Sequence, residues 1–354
     1  MPFAPTLERP YSVKMNSKRI QDILKTTLSL ALGVAIIWLL YRKTNLREVW
    51  EIASSAHFGI IASSLVFGLL GNYFRALRWE LFLNSLGYRP KRESIVFATF
   101  GNYAVNFLLP RAGDLWRCGI VTKYDQIPFS KTFETFFVDK ILDILAGVVL
   151  VIISLALYVD FFVSYFHQNP GFAENFTKLF TSVWLYLLLI LISGGIFVMF
   201  FYFKENPLVK KVNKFLRVVQ YDMVLIAKMK SKGKIIIYTV LAWLSFYVYF
   251  YICFYAFDFT KNLGPIIGWI VYAMSNVGVA VPVQGGVGTW HFMVISSLVI
   301  FGIGYEEASA FAGAIFTVQS VWIILLGVMG ILALPYVKRE KENLGLPVIE
   351  NQKQ

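Results

Sequence analysis

Long apolar segments are the sequence feature that most limits how this chain can fold. Six runs are long enough to cross a hydrocarbon core of about 30 Å as helices that rise about 1.5 Å per residue. Only 15% of the 354 residues are charged, whereas a soluble domain is about 25% charged. The sequence therefore predicts an all-α, multi-pass membrane protein with about six full spans. The runs are 26–41, 58–74, 141–157, 179–203, 235–257 and 308–337.

Two further apolar regions are interrupted by proline and glycine. The region 94–109 breaks at 110–114, and the region 265–281 breaks at 282–288. Proline removes a helix donor and glycine permits backbone angles that a helix does not use. The freed backbone groups cannot face lipid, so both regions are predicted to be broken or re-entrant hairpins. Two such hairpins entering from opposite faces indicate an inverted repeat.

Loop charge sets the predicted orientation. The segment 204–234 carries nine Lys or Arg against two acids, so it is expected on the cytoplasmic side. It is also amphipathic, which fits a helix lying on an anionic leaflet or one packed against the spans. The terminal segments 1–25 and 338–354 are predicted to be cytoplasmic and to flank a transmembrane domain, 26–337, in the plasma (inner) membrane. Arg42, Lys43 and Arg47 conflict with this topology because they fall in a supposed outside loop.

Charged residues within the apolar segments are the candidate functional residues. A charge at the bilayer centre costs on the order of 2.5–3.5 kcal/mol, so each needs a partner or water. Opposite charges in neighbouring segments predict a largely paired network. The candidates are Arg75 and Arg78 at the end of the second run; Asn106, Arg111, Asp114 and Arg117 in the first hairpin; and Glu134, Asp139, Lys140 and Asp143 beyond it.

The roles of these charges remain open at the level of the sequence. Arg111 and Arg117 lie at a helix break, where planar guanidinium groups, oriented by Asp114, could clamp a phosphate through paired donors. Arg78 precedes a tryptophan, a pair that also fits an interfacial anchor. Asp139 and Asp143 share a helical face, and they could be no more than counter-ions for the arginines.

The second hairpin carries almost no charge. Gly285, Gly286 and Gly288 could expose backbone N–H groups as an anion-binding nest, or could simply form a turn or allow close helix packing. His291 follows them, and it could titrate or be a packing residue.

Several classes of function are not supported by the sequence. Cys118 and Cys253 have no CxxC spacing, and no metal-ligand cluster is apparent. The sequence contains no Walker-type motif, so ATP hydrolysis by this chain is not expected. The net charge of +12 is explained by retained cytoplasmic loops, so no nucleic-acid partner is predicted. No cofactor and no metal are expected.

The motifs resemble those of the lysylphosphatidylglycerol synthase transmembrane-region family, also called flippase-like membrane proteins, over roughly residues 24–337. The resemblance implies a polytopic fold with inward-folded hairpins that handles lipid-linked substrates. In aminoacyl-phosphatidylglycerol synthases this region is the flippase part, fused to a soluble catalytic domain. The motifs are Asn106-x-x-x-Pro110-Arg111-Ala112-Gly113-Asp114-x-x-Arg117, Pro282-x-x-Gly285-Gly286-x-Gly288, Arg75-x-x-Arg78-Trp79 and Asp139-Lys140-x-x-Asp143.

The leading hypothesis is a lipid translocase-like protein for an anionic phospholipid or a polyprenyl-phosphate-linked lipid. The sequence ends at Gln354 without the soluble catalytic domain of the synthases, so the synthase reaction is not expected here. One alternative is an intramembrane transferase with Asp114, Asp139 or Glu134 as base and His291 as acid. Another is a non-catalytic partner of a separate lipid-modifying enzyme. Two positions depart from the family pattern: Asp114 replaces a glutamate, and His291 replaces an acidic residue.

Overall fold

The computed structural model describes residues 31, 34–42, 45–108, 112–159, 231–281 and 283–337, with single positions at 163, 187, 191, 206 and 217. All regular secondary structure in these residues is helical. The α-helices are α1 (Leu46–Ser54), α2 (Phe58–Ser85), α3 (Arg92–Leu108), α4 (Ala112–Asp125), α5 (Phe129–Leu157), α6 (Lys232–Tyr251), α7 (Pro265–Ala280), α8 (Thr289–Ile300) and α9 (Tyr305–Ala333). Short 3₁₀ segments follow α6 at Ile252–Ala256, precede α8 at Gln284–Gly286 and follow α9 at Leu334–Tyr336.

Among the described residues, four helical segments are long and apolar enough to cross a membrane. They are Phe58–Ser85, Phe129–Leu157, Lys232–Ala256 and Tyr305–Tyr336. Four of the six predicted spans are thereby confirmed. The run 26–41 is described at 31 and 34–41, which are helical, and the run 179–203 is described only at 187 and 191. The helix α2 is longer than the predicted run and extends over 28 residues. Arg75 and Arg78 therefore belong to a membrane-spanning helix rather than to a loop beyond it.

The first predicted hairpin is formed by α3 and α4. Near its tip, the Gly113 amide donates to Asn106 Oδ1 at 2.9 Å. At its base, the Lys91 amide donates to Asp125 Oδ1 at 2.9 Å. Contacts at both ends show that the two helices run antiparallel. The connection at 109–111, which includes Arg111, lies outside the described residues.

The second predicted hairpin is formed by α7 and α8. Gly285, Gly286 and Gly288 have φ angles of 63°, 71° and 86°, the left-handed region that favours glycine. The Thr289 hydroxyl closes the turn by donating to the Gly278 carbonyl at 2.7 Å. The glycine run therefore forms the turn that reverses the chain between the two helices.

The two hairpins open toward opposite ends of α2. The base of the first lies at the C-terminal end of α2, where Arg92 pairs with Glu80 at 3.0 Å. At the other end, the His57 amide before α2 donates to the Ala256 carbonyl after α6, at 2.9 Å. The Tyr251 hydroxyl near that end of α6 donates to the backbone just before α7, at 3.2 Å. The second hairpin therefore begins beside the N-terminal end of α2.

Glycines allow the first hairpin to lie directly against α9. A Cβ placed on Gly327 would be 2.6 Å from the Ala104 backbone nitrogen, and one on Gly330 would be 2.8 Å from the Phe97 carbonyl oxygen. Small residues permit such close backbone approach in membrane helix pairs, where apolar side chains alone provide little driving force. The position of α3 is therefore fixed by backbone contact with α9.

We expect Gly327→Ala to destabilise the protein by about 1–3 kcal/mol, since the added methyl overlaps backbone that cannot move independently. The matched control is Gly147→Ala in α5, because a Cβ there meets only the Trp243 ring, at 3.5 Å. The control is expected to leave stability unchanged or slightly raised. Thermal unfolding in detergent measures both variants, and equal Tm values would contradict the packing described for α3 and α9.

Candidate functional site

Arg78 forms the centre of a buried ionic cluster. Its side chain is 0% exposed, and Asp139 beside it is 1% exposed. Nε donates to Asp139 Oδ1 at 2.7 Å, and Nη2 donates to Asp143 Oδ1 at 2.6 Å. Nη1 donates to Thr239 Oγ1 at 3.2 Å. One guanidinium therefore joins α2, α5 and α6. The interfacial-anchor interpretation of this arginine is wrong, because it and the adjacent Trp79 are both fully buried.

Arg75 extends the cluster to the first hairpin. Its Nη2 donates to Asp143 Oδ2 at 2.6 Å, and its Nη1 donates to the Tyr103 hydroxyl of α3 at 3.1 Å. That hydroxyl in turn donates to Asn72 Oδ1. Arg75 Nε is buried and has no hydrogen-bond partner among the described residues. The guanidinium thus retains a free donor.

Arg117 brings α4 into the same cluster with a looser bond. Its Nη2 lies 3.4 Å from Asp139 Oδ2. The guanidinium lies 4.6 Å from the ring centroid of Trp79 and 4.4 Å from that of Phe136, distances typical of cation–π contacts. The side chain is 4% exposed, and no residue in the described part of the chain accepts a hydrogen bond from its Nε.

The other predicted site residues are distributed around this cluster. Glu134 stands apart from the arginines, since its carboxylate pairs with Lys131 one turn away at 2.8 Å. Asp114 is half-buried and lies within electrostatic range of Lys140. The carboxylate that contacts Arg117 is that of Asp139, not that of Asp114 as the sequence suggested. Asn106 stabilises the hairpin tip, as described above.

The cluster has more positive than negative charge. Among the described residues, four cations face three carboxylates, which leaves one positive charge without a counter-ion. Taking charges out of water is costly unless each is paired and hydrogen-bonded. The surplus charge and the two free Nε donors make this a site suited to an anion. The cations are Arg75, Arg78, Arg117 and Lys140, and the carboxylates are Asp114, Asp139 and Asp143.

The second hairpin approaches the cluster through α7 rather than through its glycines. Tyr272 of α7 is buried and within electrostatic range of Arg75 and Asp143. Within the described residues, no hydrogen bond links the turn 285–288 to an arginine. His291 packs against the Phe316 ring at 4.5 Å between centroids, and its Nδ1 is buried without a hydrogen-bond partner.

Sequence reasoning missed several residues that hold the cluster. Tyr103 lies three residues before the predicted Asn106 in α3, so the polar pattern there could have identified it. Thr239 carries no such signal, because its role depends on the packing of α6 against α2. Trp79 and Phe136 enclose Arg117, and aromatic residues are too common in this chain, at 17%, for sequence alone to single them out.

These features define a multi-pass helical membrane protein with two broken hairpins and an ionic cluster buried among its spans. Residues 26–327 match the sequence model of the lysylphosphatidylglycerol synthase TM region. The chain belongs to this family, as its motifs indicated.

One curated relative is similar over part of the chain. The chain is 30% identical over 138 residues to a protein described as glycosyltransferase AglD from Haloferax volcanii. The match covers 37% of this chain and 21% of the relative, so the chain spans about a fifth of that protein's length. No solved structure matches the chain.

We expect Arg78→Leu to destabilise the protein by about 3–5 kcal/mol, because it removes the principal partner of the buried Asp139 carboxylate and one of the two arginine partners of Asp143. Arg92→Leu is the matched control, since it removes an arginine that is 58% exposed and paired with Glu80. An exposed pair contributes at most about 1 kcal/mol. Chemical or thermal unfolding in detergent compares the two variants. A loss for Arg78→Leu no greater than that of the control would contradict the cluster's structural role.

Proposed function

We propose that this protein is a lipid translocase-like membrane protein that handles an anionic phospholipid or a polyprenyl-phosphate-linked lipid. The observation that carries the proposal is the surplus of guanidinium charge buried among the spans, at Arg75, Arg78 and Arg117. Arginine binds phosphate oxygens through paired donors, and it does so best where water is excluded. A phosphate group would supply the missing counter-ion.

The arginines differ in how easily they could exchange partners. Arg78 is held by bonds of 2.6–2.7 Å to two carboxylates, so its role is to hold the helices together. Arg117 has one ionic contact, at 3.4 Å, and a free Nε. In the proposed binding step, Arg117 turns its free donors to the lipid phosphate, and Asp139 stays paired with Arg78. Arg75 adds its own free Nε.

The remaining proposed binding groups come from the hairpin tips. In this proposal Arg111 adds a second guanidinium, Asn106 holds the tip in place, and Asp114 balances the charge. The backbone N–H groups at Gly285 and Gly288 face the headgroup from the second hairpin, whereas the Gly286 amide already donates to the Val283 carbonyl at 3.1 Å. Hairpins that open toward opposite ends of α2 are consistent with an inverted repeat and with access from either leaflet. The proposal keeps both termini cytoplasmic in the plasma (inner) membrane.

Measuring lipid transport by the Arg117→Met variant tests this proposal. The change removes the charge but keeps much of the volume, and Asp139 keeps its contact with Arg78. The protein should therefore fold normally. Loss of a charged hydrogen bond of about 1.5–3 kcal/mol predicts a roughly tenfold to hundredfold loss of transport. Purified protein is reconstituted in liposomes with fluorescent phosphatidylglycerol, and accessibility to dithionite reports its movement between leaflets.

Arg47→Met is the control, because Arg47 is 88% exposed and pairs only with Glu51 one turn away. It should transport at the wild-type rate. If wild-type protein moves neither phosphatidylglycerol nor a polyprenyl phosphate, the translocase proposal fails. If Arg117→Met transports normally and is as stable as wild type, the arginine has no binding role.

A lipid-phosphate transferase is the second candidate, and the relative described as a glycosyltransferase favours it. Asp114 is half-buried and makes no hydrogen bond or ion pair with any described residue, so its carboxylate could accept a proton from an attacking group. Radiolabelled polyprenyl-phosphate sugar donors incubated with the purified protein test this directly. Labelled product that disappears in Asp114→Asn would favour the transferase over the translocase.

A further inference from the structure

A lysine lies on the lipid-facing side of α5. Lys140 is exposed, and its neighbours on the same helical face are exposed apolar side chains: Phe137 at 37%, Ile144 at 62% and Val148 at 50%. An exposed apolar stripe on a spanning helix is a surface for acyl chains. Lys140 therefore places a positive charge within that surface.

Lys140 lies at the border of the apolar part of α5. The helix has 29 residues and therefore extends over about 43 Å, which exceeds a hydrocarbon core of about 30 Å. Its apolar run begins at 141, so Lys140 lies near the level of the lipid headgroups, where a lysine ammonium can contact a lipid phosphate.

The protein does not supply a full counter-charge for Lys140. Lys140 makes no salt bridge with any described residue. Asp114 and Asp143 attract it, while Arg75 and Arg117 repel it, and Arg75 has the largest effect of the four. An anion from outside the protein would complete its surroundings.

Exposure of the charged groups increases from the centre of the cluster toward this face. Arg78 and Asp139 are 0% and 1% exposed, whereas Arg75 and Asp143 are 21% and 16% exposed. Lys140 lies one turn from Asp143 on the same helix and is more exposed than either. The cluster thus opens sideways, toward the lipid beside α5.

We propose that Lys140 marks a lateral entrance through which the phosphate of a membrane phospholipid reaches the arginine cluster. The occupant is a phosphodiester with one negative charge, such as phosphatidylglycerol, which matches the one surplus positive charge. Its acyl chains lie on the stripe of Phe137, Ile144 and Val148 while its phosphate contacts the lysine ammonium. This inference rests on the proposed function, since it names the substrate class and the route to the same site.

Lipid retention tests the entrance separately from transport. Protein in nanodiscs of equal phosphatidylglycerol and phosphatidylcholine is analysed by native mass spectrometry, which counts the lipids that stay bound. Wild type should retain phosphatidylglycerol preferentially. Lys140→Met should lower the retained ratio about fivefold, the effect expected from loss of one cation beside a lipid phosphate. Lys140→Arg should keep the preference.

Lys234→Met is the matched control, since Lys234 is an exposed lysine near the start of α6. It should leave the ratio unchanged. An unchanged ratio in Lys140→Met would overturn the entrance, as would displacement of the bound lipid by soluble glycerol phosphate, which would indicate a water-facing site. Measuring lipid movement between leaflets with the same protein preparations separates the translocase proposal from the entrance proposal. Absence of transport by wild type overturns the translocase, whereas normal lipid retention in Lys140→Met overturns only the entrance.

Discussion

The neutralisation of charge inside a lipid-solvated bundle is the constraint on which the rest of this structure depends. Arg78 is fully buried, and both of its carboxylate partners come from α5. Two aspartates four residues apart can face one guanidinium only if α5 is rotated so that this side faces α2. Any other rotation would leave a charge in hydrocarbon, at a cost larger than most packing errors. The ion pairs thus set the register and rotation of these helices. Their apolar surfaces alone would not favour one arrangement of the helices over another.

Backbone contact supplies the complementary constraint on the first hairpin. On one side, Tyr103 ties α3 to Arg75, and on the other, Gly327 and Gly330 bring the backbone of α9 against it. Tyr103 fixes the orientation of α3 at one point. The glycine contacts fix the distance between α3 and α9 along about two turns of α3. Together they keep a short, broken pair of helices in place where acyl chains would otherwise surround it.

The sequence predicted the helical class, four of the spans and the places where the hairpins break, because apolar length and Pro–Gly interruptions are local properties. It also placed Arg75, Arg78, Asp139 and Asp143 within membrane segments, because charge is conspicuous in apolar runs. It could not assign partners, since those depend on which helices touch. Arg117 accordingly contacts Asp139 from another helix, not Asp114 three residues before it, and the contribution of Thr239 followed only from the position of α6.

The surplus positive charge also relates folding to binding. A cluster with one cation more than its carboxylates is least stable when no anion is present, because the excess charge stays in a medium that solvates it poorly. An anion that binds the folded cluster but not the unfolded chain stabilises the fold in proportion to its affinity. The charge imbalance therefore lowers the stability of the fold when the site is empty and favours the binding of an anion that restores it. A fully paired cluster would be more stable when empty, but it would leave a phosphate no donors to bind.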